Sequence, residues 1–200
     1  MARPCGAAAE LGRLGAKTSP TKSMRFVVVG TSGSGKSTFA SALAVAMNCP
    51  YIELDRLYWR PDWKAVPHEQ FDQAVRASTD ADRWVADGNY SAVRDLLWSR
   101  ATHIVWLNFG RTTVFSRVLL RTVSRALMRT KLSHGNRESL RMAFFSKESI
   151  LLWSYSTFAK NRLEFESLRQ NPKYAHLHLT EITEPSRTKE FIKSHTHIDA

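Results

Sequence analysis

Phe26-Val27-Val28-Val29-Gly30-Thr31-Ser32-Gly33-Ser34-Gly35-Lys36-Ser37-Thr38 is the stretch that decides the fold. Its first four residues, apolar and mostly β-branched, read as a strand buried on both faces. The next eight, Gly30 to Ser37, fit G-x-x-x-x-G-K-[S/T] at every fixed position. A helix is predicted directly behind them, from Ser37 to Met47. Glycines permit a tight loop whose backbone N–H groups point inward at phosphate oxygens, and the helix N-terminus adds positive potential there. Gly30, Thr31, Ser32, Gly33, Ser34, Gly35 and Thr38 are therefore the predicted cradle of a nucleotide. Lys36 would reach the β- and γ-phosphates, and the Ser37 hydroxyl would ligate Mg²⁺. A phosphate loop by itself does not separate a kinase from a GTPase or a mechanical ATPase.

Outward from this loop, short β-branched runs alternate with longer helical ones, the pattern of a parallel sheet with crossover helices. The predicted strands are Arg25 to Val29, Tyr51 to Leu54, Trp84 to Asp87, His103 to Phe109 and Tyr174 to Leu179. Helices are predicted near Ser37 to Met47, His68 to Thr79, Ala92 to Arg100 and Arg111 to Thr130. A further helical stretch runs from Arg137 to Gln170 with a break near Ser146, and a last helix spans Ser186 to Ser194. The stretch from Arg111 to Gln170 is too long for one crossover, so it reads as a helical excursion over the ends of the strands. There is no internal repeat.

Ligands of such sheets lie beyond the carboxyl ends of the strands, so acids at those ends carry the most chemical weight. Asp87 ends Trp84-Val85-Ala86 and precedes Gly88-Asn89-Tyr90. It is placed to hold the water shell of the metal, or a hydroxyl beside the γ-phosphate. Asp55 follows Tyr51-Ile52-Glu53-Leu54 and suits a general base or an anchor for an acceptor hydroxyl. Either aspartate would also serve as a turn-forming cap. Glu53 is expected on the other face of its strand. Tyr58, Trp59, Trp63 and Tyr90 follow these acids and read either as core or as a stacking wall for a planar acceptor.

The net charge is +11, and it is unevenly spread. Residues 111–170 hold twelve Lys and Arg against four Asp and Glu, and residues 1–23 hold four against one, while the remaining segments balance. Arg117, Arg121, Arg125 and Arg129 recur every four residues and would share one helix face. Like charges at that spacing repel by a few tenths of a kcal/mol per pair, so the row calls for an anionic partner. Arg137 and Arg141 follow the turn signal Gly135-Asn136, which would let a second helix fold back over the site. Arg117, Arg121 and Arg137 are thus the predicted arginines of a closing basic lid over a transferring phosphoryl group. A surface for nucleic-acid phosphates is the other reading of residues 111–170.

The 200 residues suit one domain, predicted over residues 24–200, behind a disordered N-terminal extension at residues 1–23. At 43% hydrophobic and 24% charged, the composition fits neither a disordered nor a fibrous chain. No run approaches the roughly 18 to 20 apolar residues of a membrane-spanning helix, so no membrane partner is expected. Cys5 and Cys49 stand far apart without metal-spaced neighbours. A reducing cytoplasm is the expected compartment, with neither a disulfide framework nor a zinc site. The seven histidines show no ligand spacing, and His195 and His197 read as an exposed tail.

Taken in order, these motifs resemble the P-loop kinases of the adenylate-kinase-like branch. Asp87-Gly88 is similar to the D-G step after the third strand of adenylate kinases, and Arg117 and Arg121 to their lid arginines. Leu54-Asp55-x-Leu57-Tyr58-Trp59, Trp84-Val85-x-Asp87-Gly88-Asn89-Tyr90 and Gly135-Asn136-Arg137-Glu138-Ser139 resemble the DNA topology modulation proteins, or adenylate-kinase-like ATPases, over about Met24 to Ser194. The resemblance implies a P-loop NTPase fold of the α/β class, a five-stranded parallel sheet in the order 2-3-1-4-5, and ATP with Mg²⁺ as cofactors. Adenylate kinases continue D-G with F-P-R, where Asn89 and Tyr90 stand here, which argues against AMP as acceptor. The L-D-x-L-Y stretch is similar to the strand-end aspartate of uridine kinases and implies an acceptor hydroxyl on a nucleoside or other small molecule. Two functions follow as expectations: a small-molecule, nucleoside or nucleotide kinase with Lys36, Asp55, Asp87, Arg117, Arg121 and Arg137 in its chemistry, or a regulatory ATPase associated with nucleic acid.

Overall fold

The computed structural model describes residues 23–128 and 150–196. Five parallel strands form one sheet in the order β2-β3-β1-β4-β5. They are β1 (Met24–Gly30), β2 (Tyr51–Glu53), β3 (Arg83–Asp87), β4 (His103–Leu107) and β5 (His178–Ile182). Seven helices accompany them among the described residues: α1 (Lys36–Ala46), α2 (Leu54–Tyr58), α3 (His68–Ser78), α4 (Ser91–Arg100), α5 (Arg111–Met128), α6 (Ile150–Arg169) and α7 (Arg187–Ser194). The implied α/β fold and strand order are those observed.

β1 is central, paired with β3 on one side and β4 on the other, which is why its sequence is continuously apolar rather than alternating. The pleat sends successive residues to opposite faces. Phe26, Val28, Val85, Val105 and Leu107 face α1, α5 and α7, whereas Val27, Val29, Trp84, Ala86 and Trp106 face α3, α4 and α6. Phe71 of α3 is fully buried in the second layer and touches both Tyr58 and Tyr90 edge-on. Phe71→Ala is expected to lower stability by about 3–5 kcal/mol, read as a shifted urea midpoint. An unchanged midpoint would contradict that packing.

Several predicted boundaries move. β2 stops at Glu53, and Leu54 to Tyr58 turns into α2 because Leu54 is drawn completely into the core. β4 stops at Leu107, although Phe109 is buried beyond its end. β5 begins at His178 rather than Tyr174. Asn171 accepts a hydrogen bond from the Lys173 N–H and opens a 3-10 turn over Pro172–Tyr174, so the strand cannot start there. An edge strand reading His-Leu-Thr-Glu-Ile lacks the apolar run that revealed β1. His195 is also no exposed tail. Its ring stacks on Phe191 at 4.4 Å and meets Phe26 edge-on.

Phe158 of α6 joins the first core layer and Phe165 the second. Arg94 of α4 holds Glu164 of α6 at 2.6 Å. Among the described residues no helix is long and apolar enough to cross a membrane. Residues 1–22, the Gly135-Asn136 turn, Arg129, Arg137, Arg141, the break near Ser146 and His197 lie outside the described residues, as does the side chain of Arg125.

Candidate active site

The register of the sheet brings the chemistry-bearing residues to one edge. Gly30 ends β1 opposite Leu107 of β4, and Val28 of β1 lies beside Asp87 of β3. Glu53 of β2 lies beside Asp87. Glu53, Asp87 and Leu107 open, with the loop that follows Gly30, onto one cleft of about 1090 Å³ at the carboxyl ends of the strands, where an α/β sheet binds its ligands.

Gly30 to Ser37 forms the loop between β1 and α1. The Ser34 N–H donates to the Thr31 carbonyl and closes its turn, while the Lys36 Nζ donates to that same carbonyl at 3.1 Å. Gly33 shows why the loop is glycine-rich beyond its motif. It has φ +84°, and a Cβ there would lie 2.2 Å from Val118 Cγ2 and 3.0 Å from the Val114 carbonyl, both on α5. The basic helix is therefore packed directly on the loop. Arg117 completes the contact by donating from Nη1 to the Ser34 carbonyl at 3.1 Å, its guanidinium lying over the Phe109 ring. Arg117 and Arg121, four residues apart on α5, both line the cleft.

Gly33→Ala should therefore lift α5 from the loop. The expected result is a lowered Tm together with a nucleotide KM raised at least tenfold, read by thermal denaturation and by initial rates at varied ATP. A variant with wild-type Tm and KM would show that α5 does not hold the loop.

Asp87 is 4% exposed and serves two donors. Ser37 Oγ donates to its Oδ2 at 2.6 Å, and the Tyr51 hydroxyl donates to its Oδ1 at 3.0 Å. Burial pushes its carboxyl above the ordinary aspartate range, opposed by those hydrogen bonds and by the Lys36 charge. Burial likewise holds the Lys36 ammonium below lysine's usual 10.5, with the charges of Asp87 and Asp55 opposing and that of Arg121 adding. Only the protonated amine attracts phosphate. ATP affinity is therefore expected to fall as pH rises at values below 10.5, where a free lysine would still be charged, with Lys36→Met abolishing the slope. Equilibrium binding of a fluorescent ATP analogue from pH 7 to 10 reads this, and constant wild-type affinity would contradict it.

Asp55 reaches the cleft from the first turn of α2, not from a strand end. The Tyr90 hydroxyl donates to its Oδ1 at 2.6 Å, and burial raises the phenol well above its ordinary range. Tyr90 thus stays protonated and remains a donor. Glu53 is not on the far face of its strand. It has the same parity as Tyr51, lies in register with Asp87, and lines the cleft.

The aromatic residues divide. Tyr58 packs on Phe71 and Tyr90, while Trp59, Trp63 and Tyr90 line the cleft.

Two contributors were missed in the sequence. Asn89 clasps the start of the loop with its amide, Nδ2 donating to the Gly30 carbonyl at 2.5 Å and Oδ1 accepting from the Gly30 N–H at 3.4 Å. Its position directly after Asp87-Gly88 was the available signal. Tyr51, four residues before Asp55, gave none. Ser34 is 1% exposed and its Oγ has no hydrogen-bond partner among the described residues, an orphaned polar atom inside the loop. Together with the partly buried Lys36 ammonium and the oxygens of Ser37 and Asp87, it fits a loop completed by an anionic ligand with a hard cation. Among the described residues no cluster of three or more His, Cys, Asp or Glu could itself hold a metal.

Solved structures similar to this chain include a gluconokinase from Sinorhizobium meliloti 1021, with 18% identity over 88% of this chain and 91% of that one, at a TM-score of 0.48. A sugar kinase from Janibacter sp. HTCC2649 shows 16% identity over 88% and 96%, with a TM-score of 0.48. A shikimate kinase from Bacteroides thetaiotaomicron shows 14% identity over 86% and 95%, with a TM-score of 0.47. No protein-family model matches the chain, and no curated protein matches it significantly. The resemblance to the DNA topology modulation proteins therefore rests on its motifs alone.

Proposed function

We propose that this protein is an ATP-dependent phosphotransferase acting on a small-molecule hydroxyl, within the adenylate-kinase-like branch of P-loop enzymes. One observation carries the reading. Asp55, oriented by the 2.6 Å hydrogen bond from Tyr90, opens onto the same cleft as the phosphate loop and Lys36. Hydrolysis of a nucleotide needs no such second wall, whereas transfer to an acceptor does.

Gly30 to Thr38 would cradle the phosphates, and Lys36 would neutralise the oxygens between donor and acceptor. Ser37 and Asp87 have the oxygen donors that suit Mg²⁺, which when bound would offset the charge of the β- and γ-phosphates. Tyr51 would keep Asp87 turned toward Ser37. Arg117 and Arg121, aimed into the cleft from α5, would stabilise charge that spreads over the transferring group. Arg137 keeps its proposed lid role, outside the described residues. Asp55 would accept the proton of the attacking hydroxyl. The cytoplasm is the proposed compartment.

The second reading, a regulatory ATPase driven by nucleic acid, loses Arg117 and Arg121 from its binding surface because both line the cleft. ATP consumption by the purified protein with Mg²⁺, alone and with nucleosides, sugars, nucleoside monophosphates or duplex DNA, separates the two. Stimulation by one small acceptor that yields its phosphorylated product is expected. Stimulation by DNA alone, unaffected by Asp55→Ala, would contradict the kinase.

A further inference from the structure

The cleft is lined by both cationic and acidic side chains. Lys36, Arg117 and Arg121 line it at the phosphate loop, and Lys189 of α7 lines it as well. The wall beyond Asp87 carries Glu53, Asp55, Trp59, Trp63 and Tyr90. Its volume of about 1090 Å³ exceeds the usual range of a single small-molecule site. The anionic nucleotide belongs at the cationic end, which leaves the acidic and aromatic wall for the second substrate.

That wall is built at a conformational cost. Asp62 and Trp63 both adopt left-handed backbone, φ 60° and 55°, in the turn after α2. For a bulky aromatic residue this conformation is an outlier that persists only where surrounding structure enforces it. The enforcement is visible: the Arg60 N–H donates to the Lys64 carbonyl at 2.8 Å and the Val66 N–H to the Tyr58 carbonyl at 2.9 Å, with an antiparallel bridge between Trp59 and Ala65. The stitched turn presents Trp63, 39% exposed, edge-on to Trp59 at 5.8 Å. The turn thus holds a half-exposed tryptophan in strained backbone in the cleft wall, packed only edge-on against Trp59 among the aromatic contacts of the described residues. It supplies a flat apolar face beside two carboxylates.

Resting on the kinase reading above, we infer that the acceptor is an uncharged hydroxylated ring, its apolar face stacked on Trp63 and its hydroxyls donating to Glu53 and Asp55. A carboxylate is an acceptor of hydrogen bonds only, so it matches the O–H donors of such a ring. Opposed to the carboxylate or phosphate of an anionic acceptor, the same pair would repel it at close range in a partly desolvated cleft. Tyr90, a neutral donor, orients Asp55 without cancelling its charge. The shared chemistry is vicinal hydroxyls on an uncharged ring, supplied by a free sugar or by the ribose of a nucleoside.

The test offers acceptors in matched pairs, glucose with gluconate, adenosine with AMP and uridine with UMP, and follows transfer of labelled γ-phosphoryl into an organic product at pH 7.5. In each pair that reacts, the neutral member is expected to have at least a tenfold higher kcat/KM, and the reacting pair tells sugar from nucleoside. Trp63→Ala should raise the KM of that acceptor about tenfold with kcat within threefold, and Trp63→Phe should restore most of it. Preference for the anionic member of any pair, or an acceptor KM unmoved by Trp63→Ala, would overturn the inference and leave the kinase standing. Release of the label only as inorganic phosphate, with every acceptor, would overturn the kinase reading itself.

Discussion

Lys36→Ala is expected to abolish measurable ATP turnover, a loss on the order of 10³-fold or more, while the protein keeps its fold. The ammonium is partly buried and donates to the Thr31 carbonyl of the loop, a setting where one fixed charge is worth several kcal/mol to a developing phosphoryl charge. Removing it leaves no other lysine on the loop, because Gly30 to Thr38 contains only this one. The side chain packs into the cleft rather than into the sheet, so circular dichroism and thermal denaturation should match the wild type. Turnover within tenfold of wild type would mean that the loop does not hold the reacting phosphates.

Asp55→Asn is expected to lower phosphoryl transfer by about 10²- to 10⁴-fold, the usual span for loss of a general base. Asparagine keeps the shape and can still accept the hydrogen bond from Tyr90 that fixes residue 55. What disappears is the capacity to take a proton from the acceptor hydroxyl. The loss should fall mainly on kcat, with a smaller change in nucleotide affinity because the Asp55 charge also acts on Lys36. Titration of ATP binding beside initial-rate kinetics separates the two. A raised ATP Kd with unchanged kcat would place Asp55 in nucleotide binding instead.

How much of this was legible before the structure depended on whether local sequence carried the signal. The phosphate loop was, since spacing, strand and helix lie in one continuous segment. Asp87 was, because a run of buried residues ends on it. Arg117 and Arg121 were, through a four-residue period that a helix turns into one face. The placement of Asp55 and Glu53 was not. A run of Tyr-Ile-Glu-Leu continues equally well as strand or as helix, and the burial of Leu54 against Gly88, a contact between residues far apart in sequence, decides it. The strained turn at Trp63 left no trace either, since neither Asp62 nor Trp63 is a glycine. Asn89 looked like a mere departure from a known motif, whereas its amide clasps Gly30 across 59 residues of chain. Tyr51 and Asp87, 36 residues apart, meet only because β2 and β3 pair in register.

The most direct measurement follows the γ-phosphoryl group itself. Purified protein is incubated with Mg²⁺ and γ-labelled ATP, with hydroxylated small molecules or with duplex DNA, and the label is located by chromatography, using Lys36→Ala and Asp55→Asn as controls. Label recovered on an organic hydroxyl, lost in both variants and unmoved by DNA, is the predicted result. Label recovered as inorganic phosphate, released faster with DNA and at an equal rate in Asp55→Asn, would contradict the account.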